Sequence, residues 1–229
     1  MKPIIEIKGL AYAYPGEKKN VLNSFSQAVF PGEIIGVVGK SGSGKSTLMK
    51  LLVQLQTPSE GMIYLDGINS QDLGSRHLYL SKIAYVNHEK NLSSNLKLKE
   101  YYELYSPLYE EYSQEIEQQL LQKFQLNEND AISSLSTGNK VKAYLIFALA
   151  TQCSLIALDE ITAVLDPGNR DDVYDALKEC CANGRTVIIA TNIVEDLINN
   201  VNRVWYIKNS NISEEKTEDV LSLFKRRIA

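Results

Sequence analysis

The feature that most constrains this chain is Gly39-Lys40-Ser41-Gly42-Ser43-Gly44-Lys45-Ser46, a GxxxxGKS loop between an apolar run, Ile34 to Val38, and a leucine-rich segment, Ser46 to Gln56. Glycines at that spacing let backbone N–H groups turn inward around phosphate oxygens. The lysine adds a positive charge and the serine offers a hydroxyl to a divalent cation. The pattern requires a strand before it and a helix after it, and both flanks supply that periodicity. Loop, lysine, hydroxyl and flanking elements agree, which a plain glycine-rich turn does not explain.

The rest of the chain is ordered around that unit. Ile4 to Ile7 and Met62 to Leu65 read as strands, so the first sixty or so residues are strand-rich. From roughly Asn91 to Ser134 tyrosines, glutamates, glutamines and leucines dominate, with Leu120, Leu121 and Phe124 at helical spacing. That stretch reads as a helical lobe inserted into an α/β core. Strand-like runs return at Ser154 to Leu158, Thr186 to Ala190 and Val204 to Ile207, separated by helix-length segments. The alternation implies a parallel sheet with crossover helices. Glu214 to Ala229 has helical spacing and a cationic end, Lys225-Arg226-Arg227, which suits a helix C-terminus.

Two further motifs carry chemistry. Ser154-Leu155-Ile156-Ala157-Leu158 ends in Asp159-Glu160, two carboxylates at the mouth of a buried strand, the edge where ligands sit in open α/β sheets. Asp159 would hold magnesium and Glu160 would polarise an attacking water. Leu135-Ser136-Thr137-Gly138-Asn139 opens the Lys140 to Ala150 helix; a serine and a glycine there make either an anion site or an ordinary N-cap.

Composition excludes several classes. With 28 acidic against 24 basic residues the chain lacks the basic surface of a nucleic-acid binder. Cys153, Cys180 and Cys181 are too few for a disulfide framework or zinc site and read as thiols in a reducing compartment. Met1 to Glu6 lacks the apolar stretch of a signal peptide. Val141 to Leu158 is the most apolar region, but Thr151, Gln152 and Ser154 divide it into a buried helix and a buried strand. Work at a membrane would therefore require docking to a partner that spans it.

Taken together, these residues resemble the nucleotide-binding subunits of ABC transporters from Ile5 to about Ile207, and the compact lobe resembles that of ABC-2 type exporters. The resemblance implies one domain over 1–229: an α/β P-loop NTPase core with a mainly parallel sheet, an N-terminal antiparallel β-subdomain and an inserted α-helical subdomain. The helical subdomain is expected over about 91–140, including the Ser136 loop, and a tail helix over about 208–229. ATP and Mg2+ are the implied cofactors, with Gly39, Lys40, Ser41, Gly42, Ser43, Gly44, Lys45, Ser46 and Thr47 around the phosphates. Tyr14 matches the aromatic residue that stacks on adenine, with Tyr12 a nearby competitor. In the family two such domains stack head to tail, so that Ser136 and Gly138 would meet ATP on the partner and Asp166 would couple the two sites. The implied partners are a second ATPase subunit, identical or not, and a separate transmembrane permease, with no nucleic acid. The implied location is cytoplasmic, peripheral on the inner face of the membrane.

The chain also departs from the family. His88 stands where a glutamine usually senses magnesium, and Asn192 where a histidine usually contacts the γ-phosphate. Asn192 is shorter and cannot become cationic, so transition-state charge would be less well balanced. Thr137 and Asn139 replace the commonest glycine and glutamine, and Ile161 follows Glu160 where proline is usual. The expectation is a genuine but slow ATPase, or a composite dimer with one good site, that drives an exporter. The alternatives are a soluble non-transport ABC ATPase and a regulatory subunit that closes on ATP with a weakened site.

Overall fold

The computed structural model describes residues 1–87 and 95–220. The first half contains β1 (Ile5–Tyr12), β2 (Leu22–Val29), β3 (Ile34–Gly39), α1 (Lys45–Leu52), β4 (Glu60–Leu65), β5 (Ile68–Asn69), α2 (Arg76–Ser81) and β6 (Ile83–Asn87). Then come α3 (Leu98–Tyr105), α4 (Gln114–Lys123), α5 (Thr137–Ala150), β7 (Leu155–Asp159), α6 (Pro167–Ala182), β8 (Thr186–Thr191), β9 (Arg203–Lys208) and β10 (Asn211–Glu215).

Two sheets form. A 4-stranded antiparallel sheet runs β2-β1-β4-β5, and a 6-stranded sheet runs β10-β9-β3-β8-β7-β6. In the larger sheet every pairing from β9 to β6 is parallel, and only β10 is antiparallel. Each residue of β3, β7 and β8 is buried, as strands covered on both faces must be. Because β3 has β8 on one side and β9 on the other, the strand order reverses at its C-terminal end. That reversal opens the crevice where α/β sheets bind ligands. Register brings the chemistry to this edge: Val38 lies opposite Thr191, Asp159 opposite Ala190, and Asn87 opposite Asp159.

Two cores hold the layers. Between the sheets, α1 buries Leu48, Met49, Leu51 and Leu52, and the fully buried Trp205 meets Phe25 edge-on at 6.3 Å. On the other face of the large sheet α5 and α6 pack with the helical lobe. The α5 sequence is apolar around most of its circumference because it is enclosed, and among the described residues no helix is long and apolar enough to cross a membrane. The chain breaks between α5 and β7, as Thr151, Gln152 and Ser154 predict. In the lobe Tyr101, Tyr102, Tyr105, Tyr109 and Tyr112 surround Phe147, so these rings pack the lobe rather than its surface.

One expectation is corrected. The tail helix placed over 208–229 does not begin there, because Asn211–Glu215 is a strand paired with β9. Asn209 and Ser210 both take positive φ, 49° and 64°, as the two-residue turn of a right-twisting hairpin requires. Ser210 then ties the hairpin to the antiparallel sheet, accepting from Asn23 N–H through its carbonyl and donating from its hydroxyl to Asn20 O at 2.7 Å. Residues 217–220 are helical, and 221–229 lie outside the described residues.

Arg185, just before β8, joins the layers. Its Nε donates to Cys153 O at 2.9 Å, Nη1 to Leu149 O at 2.6 Å and Nη2 to Ala148 O at 3.1 Å. These carbonyls belong to the end of α5 and the loop after it, where helical partners run out. Ala148 O also accepts from Thr151 Oγ1 and Leu149 O from Gln152 N–H, so Arg185→Met removes three bonds but strands chiefly Cys153 O, and the unfolding free energy from urea titration should fall by about 2 kcal/mol.

Candidate nucleotide site

The glycine loop closes because two of its positions tolerate no side chain. A Cβ on Gly39 would collide with Ser43 Oγ and Ile207 O, and Gly44 takes φ +110° with Leu22 Cδ2 only 2.9 Å from where a Cβ would be. Gly44 is also the N-cap of α1, so the first free N–H groups of that helix open toward the loop. Lys45 is 3% exposed and its Nζ donates to Gly39 O at 3.2 Å and Lys40 O at 3.4 Å. The same Nζ lies 3.4 Å from Glu160 Oε1. Lys40, Ser41, Gly42 and Ser43 line a cleft of about 760 Å³ that also takes in Tyr14 and the β9–β10 turn.

The acidic strand end meets the loop across the sheet. Ser46 Oγ donates to Asp159 Oδ1 at 3.1 Å, while Tyr85 donates its hydroxyl to Asp159 Oδ2 at 3.3 Å. Asn87 Nδ2 donates in turn to Tyr85 Oη at 3.4 Å. Tyr85 and Asn87 are additions to the site that the sequence reading missed. Their signal was the strand alternation in Ile83–Asn87, which turns both residues to the same face. The residues present fit a hard cation: a hydroxyl and a carboxylate lie in contact beside the loop, and the glycines leave room for phosphate.

Glu160 takes left-handed φ, 55°, with its N–H bound to Ala190 O at 2.8 Å. Its Oε1 accepts from Asn192 Nδ2 at 2.9 Å. Thus Lys45 and Asn192 hold one carboxylate oxygen between them. Behind this pair the buried hydroxyls of Thr162 and Thr191 share a hydrogen bond of 3.1 Å.

Tyr14 is 39% exposed and Tyr12 6%, so Tyr14 is the ring open for stacking. Tyr12 supports it edge-on at 5.2 Å, and Tyr14 Oη shares a hydrogen bond with Thr47 Oγ1 at 3.0 Å. Ser136 caps α5, accepting from Asn139 N–H at 3.2 Å. Asp166 caps α6, accepting from Asn169 N–H at 3.0 Å. The backbone and side-chain N–H groups of Asn169 hold the Asp166 carboxyl below its usual range. A Cβ on Gly138 would lie 3.5 Å from both Val164 O and Leu165 Cδ2, which puts the start of α5 against the turn before Asp166. Among the described residues no hydrogen bond joins Ser136, Gly138 or Asp166 to the glycine loop. His88 lies outside the described residues.

This arrangement of a glycine loop, a carboxylate pair and a capped serine can be set beside known proteins. Residues 22–163 match the family described as ABC transporter. The chain belongs to the ABC transporter family. The Nod factor export ATP-binding protein I of Rhizobium leguminosarum bv. viciae is 31% identical over 197 residues, covering 84% of this chain and 62% of the relative. The chain thus spans under two thirds of the length of that relative. ABC transporter ATP-binding protein YtrB of Bacillus subtilis (strain 168) is 25% identical over 219 residues, covering 95% of this chain and 73% of the relative. Among solved structures, a dimeric ATP-binding cassette in a post-hydrolysis state bound to ADP and Pi superposes with TM-score 0.81 at 26% identity. That match covers 93% of this chain and 98% of the other.

Removing the buried cation tests the site directly. Lys45→Ala should weaken nucleotide binding by at least an order of magnitude in calorimetric titration, because charge-assisted bonds to phosphate are lost. Circular dichroism should stay native, since truncation also frees Glu160 from its ion pair.

Proposed function

We propose that this chain is the ATP-binding and ATP-hydrolysing subunit of an ABC exporter, coupling nucleotide-driven dimer closure to a separate membrane permease. The observation that carries the reading is Glu160 Oε1 held between Lys45 Nζ at 3.4 Å and Asn192 Nδ2 at 2.9 Å, at the edge of the phosphate loop. A triphosphate entering the loop takes Lys45 for its terminal oxygens. Glu160 is then released from its cation but keeps the amide of Asn192, and a carboxylate so oriented accepts the proton of an attacking water. Ser46 and Asp159, with His88 as a further candidate, would hold magnesium, which supplies charge neutralisation on the phosphates. Lys40 through Thr47 wrap the phosphates and Tyr14 stacks on the base.

Hydrolysis is slow in this reading. Asn192 is a neutral donor, and in the observed geometry its amide is engaged by Glu160 rather than free for the γ-phosphate. Ser136, Gly138 and Asp166 complete the site of a second copy or of a related subunit, in the head-to-tail manner of the family. Leu104 and Leu108 on the helical lobe, 59% and 68% exposed, are apolar groups available to a permease. The protein then sits on the cytoplasmic face of the membrane, held there by its partner. A regulatory subunit with a weakened site is the second reading, favoured by the Glu160–Asn192 contact, which engages both groups with each other. A soluble ABC ATPase acting on nucleic acid is disfavoured by the excess of acidic over basic residues.

Magnesium-dependent ATP turnover across a wide range of protein concentration, with Glu160→Gln as control, separates the readings. A specific activity that rises with concentration and vanishes in Glu160→Gln supports a self-assembling motor. ATP binding without turnover above the control supports the regulatory subunit. Under the motor reading, Asn192→His should raise kcat on the order of tenfold at neutral pH with little change in KM, because an imidazole adds reach and charge at the developing phosphate.

A further inference from the structure

Arg170 stands four residues beyond the Asp166 cap of α6 and bridges two segments that follow the two site residues Glu160 and Asn192. Its Nε donates to Thr162 O and to Leu165 O, both at 3.0 Å, gripping the turn that leads from Glu160 to Asp166. Its Nη1 donates to Asp196 Oδ1 at 3.2 Å, in the helical turn Val194–Leu197 just after Asn192. The Asp196 side chain is only 10% exposed; burial disfavours its charge, and Arg170, with help from the Thr162 side chain, favours it. Tyr174, also buried, is the other titratable group facing the pair, and Glu195 adjoins it in sequence.

The surrounding contacts make Arg170 a junction. Toward the nucleotide loop, Thr162–Thr191 and Glu160–Asn192 tie the same two segments together at 3.1 Å and 2.9 Å. Toward α5, Lys142 Nζ donates to Asn169 Oδ1 at 3.1 Å, and Asn169 is the residue that engages Asp166. A run of polar contacts therefore leads from Lys45 through Glu160 and Asn192, across the threonine pair and Arg170, to Asp166 and Lys142 of α5, and Gly138 at the start of that helix lies against Val164 and Leu165. Only a planar fork reaches two carbonyls and a carboxylate from one position; a lysine ammonium on a flexible stem does not hold that geometry.

We propose that Arg170 is a positioning residue that transmits the nucleotide state of the chain's own phosphate loop to its Val164–Asp166 turn and the Ser136 end of α5. This rests on the nucleotide reading above and adds to it a route within one chain. When Lys45 exchanges Glu160 for phosphate, the Glu160–Asn192 pair shifts. The Asp196 segment shifts with it, and Arg170 carries the displacement to the Thr162 and Leu165 carbonyls. A passive brace would instead hold the turn equally with and without nucleotide.

Hydrogen–deuterium exchange of the full chain, at a concentration where light scattering finds a monomer, distinguishes these. With Mg–ATP, peptides covering 39–46 and 161–170 should both change protection in the native chain. In Arg170→Lys and Arg170→Ala the 39–46 change and the ATP affinity should persist, while the nucleotide-dependent difference at 161–170 is lost. Asp196→Asn should give the same loss, and adding it to Arg170→Lys should remove nothing further. A difference at 161–170 that survives in the variants at native size overturns the proposal, as does its absence in a native chain that binds ATP. Raised exchange at 161–170 by equal amounts with and without nucleotide, the difference intact, assigns Arg170 to bracing alone. Failure of the native chain to bind Mg–ATP at all would overturn the nucleotide reading instead. Arg170→Lys keeps the charge and provides the folded variant should Arg170→Ala unfold.

Discussion

A lysine ammonium enclosed to 3% exposure at the root of a loop is a demand that the rest of the structure must meet. A charge so far from water needs an opposite charge and oriented carbonyls to replace its hydration. Lys45 receives Gly39 O and Lys40 O from the loop itself and Glu160 from a strand distant in sequence. Supplying Glu160 requires β7 to end level with β3, and β8 lies between them. The register of these buried strands brings the two ends together. The small residues of the loop and the entry of α1 follow from the same close approach.

The polar groups at this edge of the sheet pair with one another. Glu160 pairs with Lys45, and the Ser46 hydroxyl donates a hydrogen bond to Asp159 Oδ1. Under the proposed function both contacts change partner when an anion and a cation enter together. Asn192 differs: its contact with Glu160 needs no such exchange, because an amide donor can remain with a carboxylate that has lost its lysine. A histidine at that position could divide its two ring nitrogens between carboxylate and phosphate; a single short amide has less reach for both.

The sequence revealed most where a motif is local. The glycine loop, the strand ending in Asp159-Glu160 and the break at Thr151 to Ser154 were legible because each is decided by neighbouring residues. The β10 hairpin was not, since Asn209-Ser210 is a weaker turn signal than Asn-Gly, and Ile212 with Val220 suits either period. Tyr85, Asn87 and Arg170 were harder to find for a different reason: alternation in β6 puts Tyr85 and Asn87 on one face, but which strands and turns become neighbours of β6 and α6 is decided far away in sequence. Among the tyrosines of the lobe, Tyr102 is buried and its hydroxyl donates to Ala143 O at 2.9 Å, which assigns that ring to packing.

Ser136 and Asp166 show why an N-cap and an intersubunit contact are not competing readings. A cap uses only an acceptor, and Ser136 spends one lone pair on the Asn139 N–H. Its hydroxyl proton remains to be given, so the same side chain can hold the helix and donate to an anion at the positive end of α5. An aspartate would cap equally well there but would repel phosphate. At α6 the reverse holds. Asp166 accepts from both the backbone and the side chain of Asn169, has no proton to donate, and carries its charge at an exposed corner. Such a group suits a contact with donors on a second polypeptide rather than with phosphate. The two caps thus differ chemically: at α5 the capping side chain keeps a hydroxyl donor, and at α6 it is a carboxylate acceptor.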